Sequence, residues 1–429
     1  MTLPAEYAAF VGLDWGDETH AFSILPATGG GARQGEFKQT PEAIAAWADD
    51  LRTRFGGRPV AVCLEQSRGA LVYALMQYDF LVLHPLNPKQ LSYYRDAVYP
   101  SGAKTDPVDA ELLARFLRDH ADKVRAWRPD DPTTRGLRLM TEQRRKWVED
   151  RVALTNELQQ RLKESYPLAL ELGGNKLWAE SFLALLEKFP THRELQRASP
   201  KQLEKCLPRR RRAADDPPAE ELLRERIKAL RKSPPLTTDG PVLEHARMAV
   251  SHLVTLIQTH NRAIAECDRK IAELFAQHPD AELFASFPGA GAAMAPRLVA
   301  AYGADRDKFQ DAQEMQQFSG IAPVVKASGK TRVVQMRWAC PKFLRQTFHE
   351  FARCSIAKSK WARAYVDMRT KRGDKYQEIL RGLAFKWQRI IFRCWQTNET
   401  YDEERYLQRL RATGSHLISF LSPEPVTTT

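Results

Sequence analysis

Four carboxylates stand where the chain could do chemistry. Asp14 closes the apolar run AAFVGLD (8–14), and Glu65 ends a second one in PVAVCLEQS (59–67). Asp106 and Asp109 bracket Pro107 and Val108 in SGAKTDPVDAELLARF (101–116). A carboxylate at the end of an apolar strand has to be paired, solvated or metal-bound, and two acids three apart on a helix share a face. Such hard oxygens suit Mg²⁺ (or Mn²⁺). Two such ions about 3.5–4 Å apart activate an attacking oxygen and stabilise a leaving one in phosphodiester chemistry. Ordinary roles compete. Asp14 fits a turn with Trp15-Gly16-Asp17, Glu65 a pair with Arg68, and Asp106 and Asp109 the N-cap and N3 of a helix with Pro107 at N1. Taken singly each acid reads as structural; taken together, the metal reading is favoured.

The elements that must position these acids can be read in order. Strands are expected at 8–14, 19–25 and 35–39, with ATGGGA as a hairpin-type connection. Thr40-Pro41-Glu42 caps a helix to about residue 54, a strand follows at 59–67, a helix from Gly69 to about Gln77, and a buried strand at 80–85. Three antiparallel strands, then strands alternating with helices, predict a mixed α/β domain of the ribonuclease H type. In such a sheet Asp14 and Glu65 converge on one edge, where sites tend to lie.

Beyond residue 130 the pattern turns helical. Leu137, Met140, Trp147, Leu154, Leu158 and Leu162 face one way, and from Leu243 to Leu274 apolar residues alternate at spacings of three and four, interrupted by His260. That seam predicts a coiled coil, formed within one chain or between chains. The stretch 209–219, with Arg209–Arg212 and DDPP, reads as an exposed linker or insert. FPGAGAAMAPRLVAAYG (287–303) resembles a helix–hairpin–helix turn, whose amides contact phosphates. The expected domains are 1–130, 131–280 with a basic and Pro-rich insert near 205–240, 281–412, and a tail at 413–429 with a disordered SPEPVTTT end.

Charge is uneven. The 429 residues carry 65 Lys and Arg against 53 Asp and Glu, yet residues 321–393 alone hold 18 against 4. One basic block on a balanced chain points to a polyanion, most simply nucleic acid. Trp361, Tyr365, Tyr376, Trp387 and Trp395 lie among these cations and suggest base stacking. Six dispersed cysteines without CxxC spacing argue against a zinc finger and for a reducing cytoplasm. MTLPAEYAAF does not read as a signal peptide, and no apolar stretch is long enough to span a membrane.

GLDWG (12–16), CLEQS (63–67) and above all KTDPVDAELLARF (104–116) resemble the catalytic core of the DEDD transposases of the insertion sequence 110 family. FPGAGAAMAPRLVAAYG, then F-SG-IAP and SGK, is similar to that family's C-terminal transposase domain. The resemblance implies an α/β, RuvC-like N-terminal domain, a helical coiled-coil middle and a mainly α C-terminal domain. It implies recombination of donor and target double-stranded DNA in a bacterial cytoplasm, guided by a structured noncoding (bridge) RNA. It further implies a composite site: Asp14, Glu65, Asp106 and Asp109 on Mg²⁺ or Mn²⁺, with Ser328 of KASGK as nucleophile. From chemistry alone Ser328 is a turn residue before Gly329, and Ser319 in FSG is its rival. Lys326, Lys330, Arg332, Arg337, Lys342 and Arg345 are the candidate phosphate-binding cations. The TRVVQMRWACPKFLR stretch lacks the glycines usual in the family, so backbone geometry after Arg332 stays open. Synapsis of two DNA sites suggests a dimer or tetramer built on the seam. Competing readings are a RuvC-like endonuclease that only hydrolyses, an actin-like ATPase lacking its second phosphate loop, and a non-enzymatic nucleic-acid binder.

Overall fold

The computed structural model describes residues 7–65, 68–99, 104–121, 123–206, 232–329 and 331–421, with isolated positions between 221 and 229. Lys330, most of the 205–240 insert and the SPEPVTTT end therefore lie outside the described residues. Two compact units divide the chain, Met1–Pro129 and Asp130–Thr429.

The first unit is a five-stranded mixed sheet between two helical layers. Strands β1 (Ala9–Asp14), β2 (Thr19–Pro26) and β3 (Arg33–Lys38) run antiparallel, while β4 (Val60–Leu64) and β5 (Leu81–Pro85) run parallel to β1, in the order β3-β2-β1-β4-β5. Period-two alternation divides the side chains between the faces. Val11, Leu13, Val62 and Leu64 pack on helices α1 (Pro41–Phe55) and α2 (Ala70–Leu75), in a core that includes Trp47 and Leu71. Ala61 and Cys63 face the other way, towards Leu91 of helix α3 (Pro88–Val98) and Leu112, Leu113 and Leu117 of helix α4 (Asp106–Asp119). Each strand lies within a few residues of its expected position.

Within the second unit, two long helices, α5 (Pro132–Ser165) and α10 (Gly240–Ala276), pack antiparallel in the same chain. Arg144 pairs with Asp268, Arg151 donates to Asn261 at 2.9 Å, and Thr134 bonds His278 at 3.0 Å, so residues climbing one helix meet residues descending the other. The expected seam is buried at Ala246, Val250, Leu253, Ile257, Ile264, Cys267 and Ile271. His260 stays partly exposed, its Nδ1 2.9 Å from the Leu256 carbonyl. Four short helices, α6 (Pro167–Gly173), α7 (Glu180–Lys188), α8 (His192–Arg197) and α9 (Pro200–Cys206), lie between the long ones in sequence, and their apolar residues share a core with Leu158, Leu162, Val250 and Ile257.

C-terminal to α10, the chain continues as α11 (Ala281–Ala285), α12 (Ala295–Tyr302), α13 (Ala312–Phe318) and a two-stranded hairpin, β6 (Val324–Ser328) with β7 (Thr331–Gln335). Helices α14 (Lys342–Ser355), α15 (Lys360–Lys371), α16 (Tyr376–Thr397) and α17 (Glu403–Ala412) complete it. Helix α12 is buried along its length. In the turn before it, a Cβ on Gly289 (φ +89°) would fall 2.7 Å from the Cys354 backbone, so that glycine serves packing. In the expected tail, Leu417 is buried within a 3₁₀ turn, His416–Phe420, so the fold continues past residue 413.

Trp361, Trp387 and Trp395 are fully buried and Tyr365 nearly so, which corrects their expected role in stacking bases. Their indole N–H groups donate internally, to Tyr401 Oη, Ser355 Oγ and the Gly303 carbonyl, each at 2.8 Å. Satisfied in this way, the rings serve as core. Among the described residues, no helix is long and apolar enough to cross a membrane.

Candidate functional site

The backbone that gathers the four acids is set by one glycine. Leu13 of β1 pairs with Leu64 of β4, so Asp14 and Glu65 leave neighbouring strand ends side by side. Alternation puts both on the face that carries Gly12 and Cys63, beneath α4. A Cβ at Gly12 would lie 1.9 Å from the Ala110 carbonyl oxygen and 2.5 Å from the Ala114 nitrogen. Helix α4 thus rests on bare backbone, and its first turn, with Asp106 and Asp109, is drawn over the strand ends.

Electrostatics register the result. Burial, then the charges of Asp109, Asp106 and Glu65, push the Asp14 carboxyl up to about 6, against a lowering by Lys104. Glu65 is likewise raised by burial and by Asp109, while Lys104 and Arg95 oppose the rise. Neither helix acid caps α4: Thr105 holds the N-cap without a side-chain bond, Asp106 is the first helical residue and exposed, and Asp109 is buried. That displaces the capping reading. Asp109 is instead gripped by Arg95, whose Nε donates to Oδ1 at 2.7 Å while its Nη2 meets Oδ2 at 2.6 Å. Arg95 and α3 have no apolar stripe to mark them in the sequence; the signal for the helix is Asn87-Pro88, an N-cap followed by proline, and the Asn87 side chain accepts from the Lys89 amide.

Asp14 and Glu65, raised by burial and by neighbouring carboxylates, lie where negative charge is in excess, and carboxylate oxygens are the donors a hard divalent ion takes. In chemistry and number these residues fit such an ion. Among the described residues, however, no three His, Cys, Asp or Glu side chains close on a common point.

The other expected residues belong to the second unit. Ser328 ends β6, exposed at the hairpin tip beside Gly329 (φ +56°). Lys326 and Arg332 lie exposed on the same hairpin, and Lys342 is exposed at the start of α14. Arg337 and Arg345 are half-buried and joined by a bond from the Arg345 guanidinium to the Arg337 carbonyl at 3.1 Å. The rival Ser319 is fully buried, accepting from Gln388 at 2.7 Å and donating to the Gln316 carbonyl, a structural role. Exposed aromatic surface is found instead at Trp338 (76% exposed) and Tyr376. A cleft of about 350 Å³ beside α16 and α17 is lined by Lys386, Arg389, Arg393, Arg405 and Arg409. Its two carboxylates are engaged, Glu399 with Arg405 and Asp402 as the cap of α17.

A family described as Transposase matches residues 11–167, a span that includes all four acids. The Transposase IS116/IS110/IS902 family matches residues 281–367, a span that includes Ser328. The "Mini-circle putative transposase for IS117" of Streptomyces coelicolor is 28% identical over 408 residues, 92% of this chain and 96% of its own length. The insertion element IS110 43.6 kDa protein of the same organism is 23% identical over 92% of this chain and 96% of its own. A 44.8 kDa protein of insertion element IS116 from Streptomyces clavuligerus is 31% identical over 54% of this chain and 56% of its own.

Proposed function

Because this chain belongs to the IS110 family of DEDD transposases, we propose that it recombines the DNA of an insertion sequence through a metal–carboxylate site and a serine. We read the first unit as an RNase H/RuvC-like catalytic domain in which Asp14, Glu65, Asp106 and Asp109 hold Mg²⁺ or Mn²⁺. The observation that carries this reading is the convergence of Asp14 and Glu65 at neighbouring strand ends beneath the first turn of α4, close enough that, after burial, Asp109, Asp106 and Glu65 all raise the Asp14 carboxyl. A bound divalent ion supplies Lewis-acid activation of phosphodiester oxygens. Ser328 is the proposed nucleophile, and its exposure on the hairpin is compatible with reaching a phosphate. A serine ester conserves the phosphodiester energy for rejoining, which hydrolysis discards. Lys326, Lys330, Arg332, Arg337, Lys342 and Arg345 neutralise phosphates of double-stranded donor and target DNA or of a structured guide RNA. Bringing two sites together calls for a dimer or tetramer, and with the 243–274 seam turned onto α5, the contact between chains belongs to another surface.

Strand transfer between labelled donor and target duplexes tests the proposal. Asp14→Asn should abolish cleavage and transfer together, whereas Ser328→Ala should abolish transfer and leave no covalent protein–DNA species. Full cleavage by Ser328→Ala would leave a hydrolytic endonuclease. Sequencing RNA that copurifies with the chain tests the guide: a discrete species from the flanks of its own gene is expected, and random cellular RNA would remove it.

A further inference from the structure

The Arg95–Asp109 pair sits where the proposed ion would need an oxygen. Both Asp109 oxygens are taken by one guanidinium, at 2.7 and 2.6 Å, and the two side chains are only 4% and 13% exposed. A bidentate charge-assisted pair in so dry a place is strong and geometrically specific. It also neutralises the most buried of the four acids, the first charge to raise Glu65 and the first after burial to raise Asp14. Arg95 comes from α3, Asp109 from α4, and both helices cover the same face of the sheet.

We propose that Arg95 is a resident counter-cation that positions Asp109 in the metal-free protein and competes with a divalent ion for its oxygens, so that loading requires the pair to open. This rests on the reading of the four acids as a metal site. Arg95 is a positioning residue; its function is to keep a buried carboxylate paired until the ion arrives, because such a charge left alone is strongly disfavoured.

The test is Mn²⁺ binding by the full chain, stripped of metal and nucleic acid, followed by the electron paramagnetic resonance of free Mn²⁺. Arg95→Gln should bind Mn²⁺ on the order of tenfold more tightly than the wild type, the affinity equivalent of about one strong hydrogen bond. Asp109→Asn and Arg95→Gln/Asp109→Asn should bind Mn²⁺ alike, whereas removal of a repelling charge alone would raise affinity in the Asp109→Asn background as well. Arg95→Lys keeps the charge without the fork and should lie between the two. If Arg95→Gln does not fold, Arg95→Lys carries the test, since it too must exceed the wild type. Equal or weaker binding by these variants, with a wild type that binds, overturns the proposal and leaves the metal site standing. A gain that persists without the Asp109 carboxylate also overturns it. Should neither wild type nor variants bind Mn²⁺, the metal reading fails, and this proposal with it.

Discussion

Gly12 and Asp14 sit two residues apart on β1, and one controls the surroundings of the other. With the Ala110 oxygen 1.9 Å from where a Cβ would be, Gly12→Ala must push α4 off the sheet. Overpacking of this kind costs about 1–3 kcal/mol or more, so chemical denaturation should show the first unit weakened, with metal binding impaired in whatever remains folded. Asp14 itself makes a prediction about pH. Its folded carboxyl titrates near 6, whereas an unfolded aspartate titrates at about 3.9. The native state therefore holds the proton more tightly, and this contribution to stability is present below about pH 4 and lost as pH rises through 6. In chelator, thermal denaturation should show the wild type losing more stability than Asp14→Asn over that interval. Mg²⁺ should restore the wild type at the upper end, and parallel curves for the two proteins would contradict the assignment.

At the scale of elements, what the sequence disclosed and what it hid have physical causes. The five strands were legible because each is a short apolar or alternating run bounded by Gly, Pro or Asp. Helix α3 was hidden because Leu91 alone is buried along it, which leaves no apolar stripe to read, and Arg95 was hidden with it. The β6–β7 hairpin was hidden for a related reason: apart from Val324 its residues are exposed, so nothing alternates. Helix α16 misled by composition. Its tryptophans sit among cations in sequence, but Ile379, Leu383, Trp387, Ile391 and Trp395 recur at spacings of four, four, four and four, a buried stripe opposite Lys386, Arg389 and Arg393. The two faces should separate experimentally. Trp387→Ala should cost about 3–5 kcal/mol of stability, read by denaturation. Arg389→Glu/Arg393→Glu should leave the melting temperature nearly unchanged and weaken nucleic-acid binding, with a shallower dependence on salt. Trp338→Ala, next to the hairpin, should lose about 1–3 kcal/mol of single-strand affinity if its exposed ring stacks on bases. A Trp387→Ala protein of normal stability that no longer binds would return the buried rings to the interface.

For the whole molecule, the question is what the long seam is for. An apolar repeat from Leu243 to Leu274 is equally suited to joining two chains or to folding one, since knobs fit holes in either case. Here α5 fills that position: Arg144–Asp268 and Arg151–Asn261 set the antiparallel register, and Ile257 is fully buried in the core that also holds Leu158, Leu162 and Phe182. The pair thereby links two clusters of the second unit, since Leu137, Cys267 and Ile271 at its other end belong to the core around Trp387. A seam used in this way contributes to folding rather than to association, and the two roles respond differently to concentration. An obligate dimer melts at a temperature that rises with protein concentration, whereas an intrachain core does not. Ile257→Asp buries an unpaired charge at the centre of the pair and should destabilise the second unit by several kcal/mol, on the order of 3–5. The loss should be the same across a wide range of protein concentration, and light scattering of the folded fraction should show the oligomeric state of the wild type. If Ile257→Asp instead gave a stable monomer from a wild-type dimer, the seam would be the contact between chains and the antiparallel pairing within one chain would be wrong.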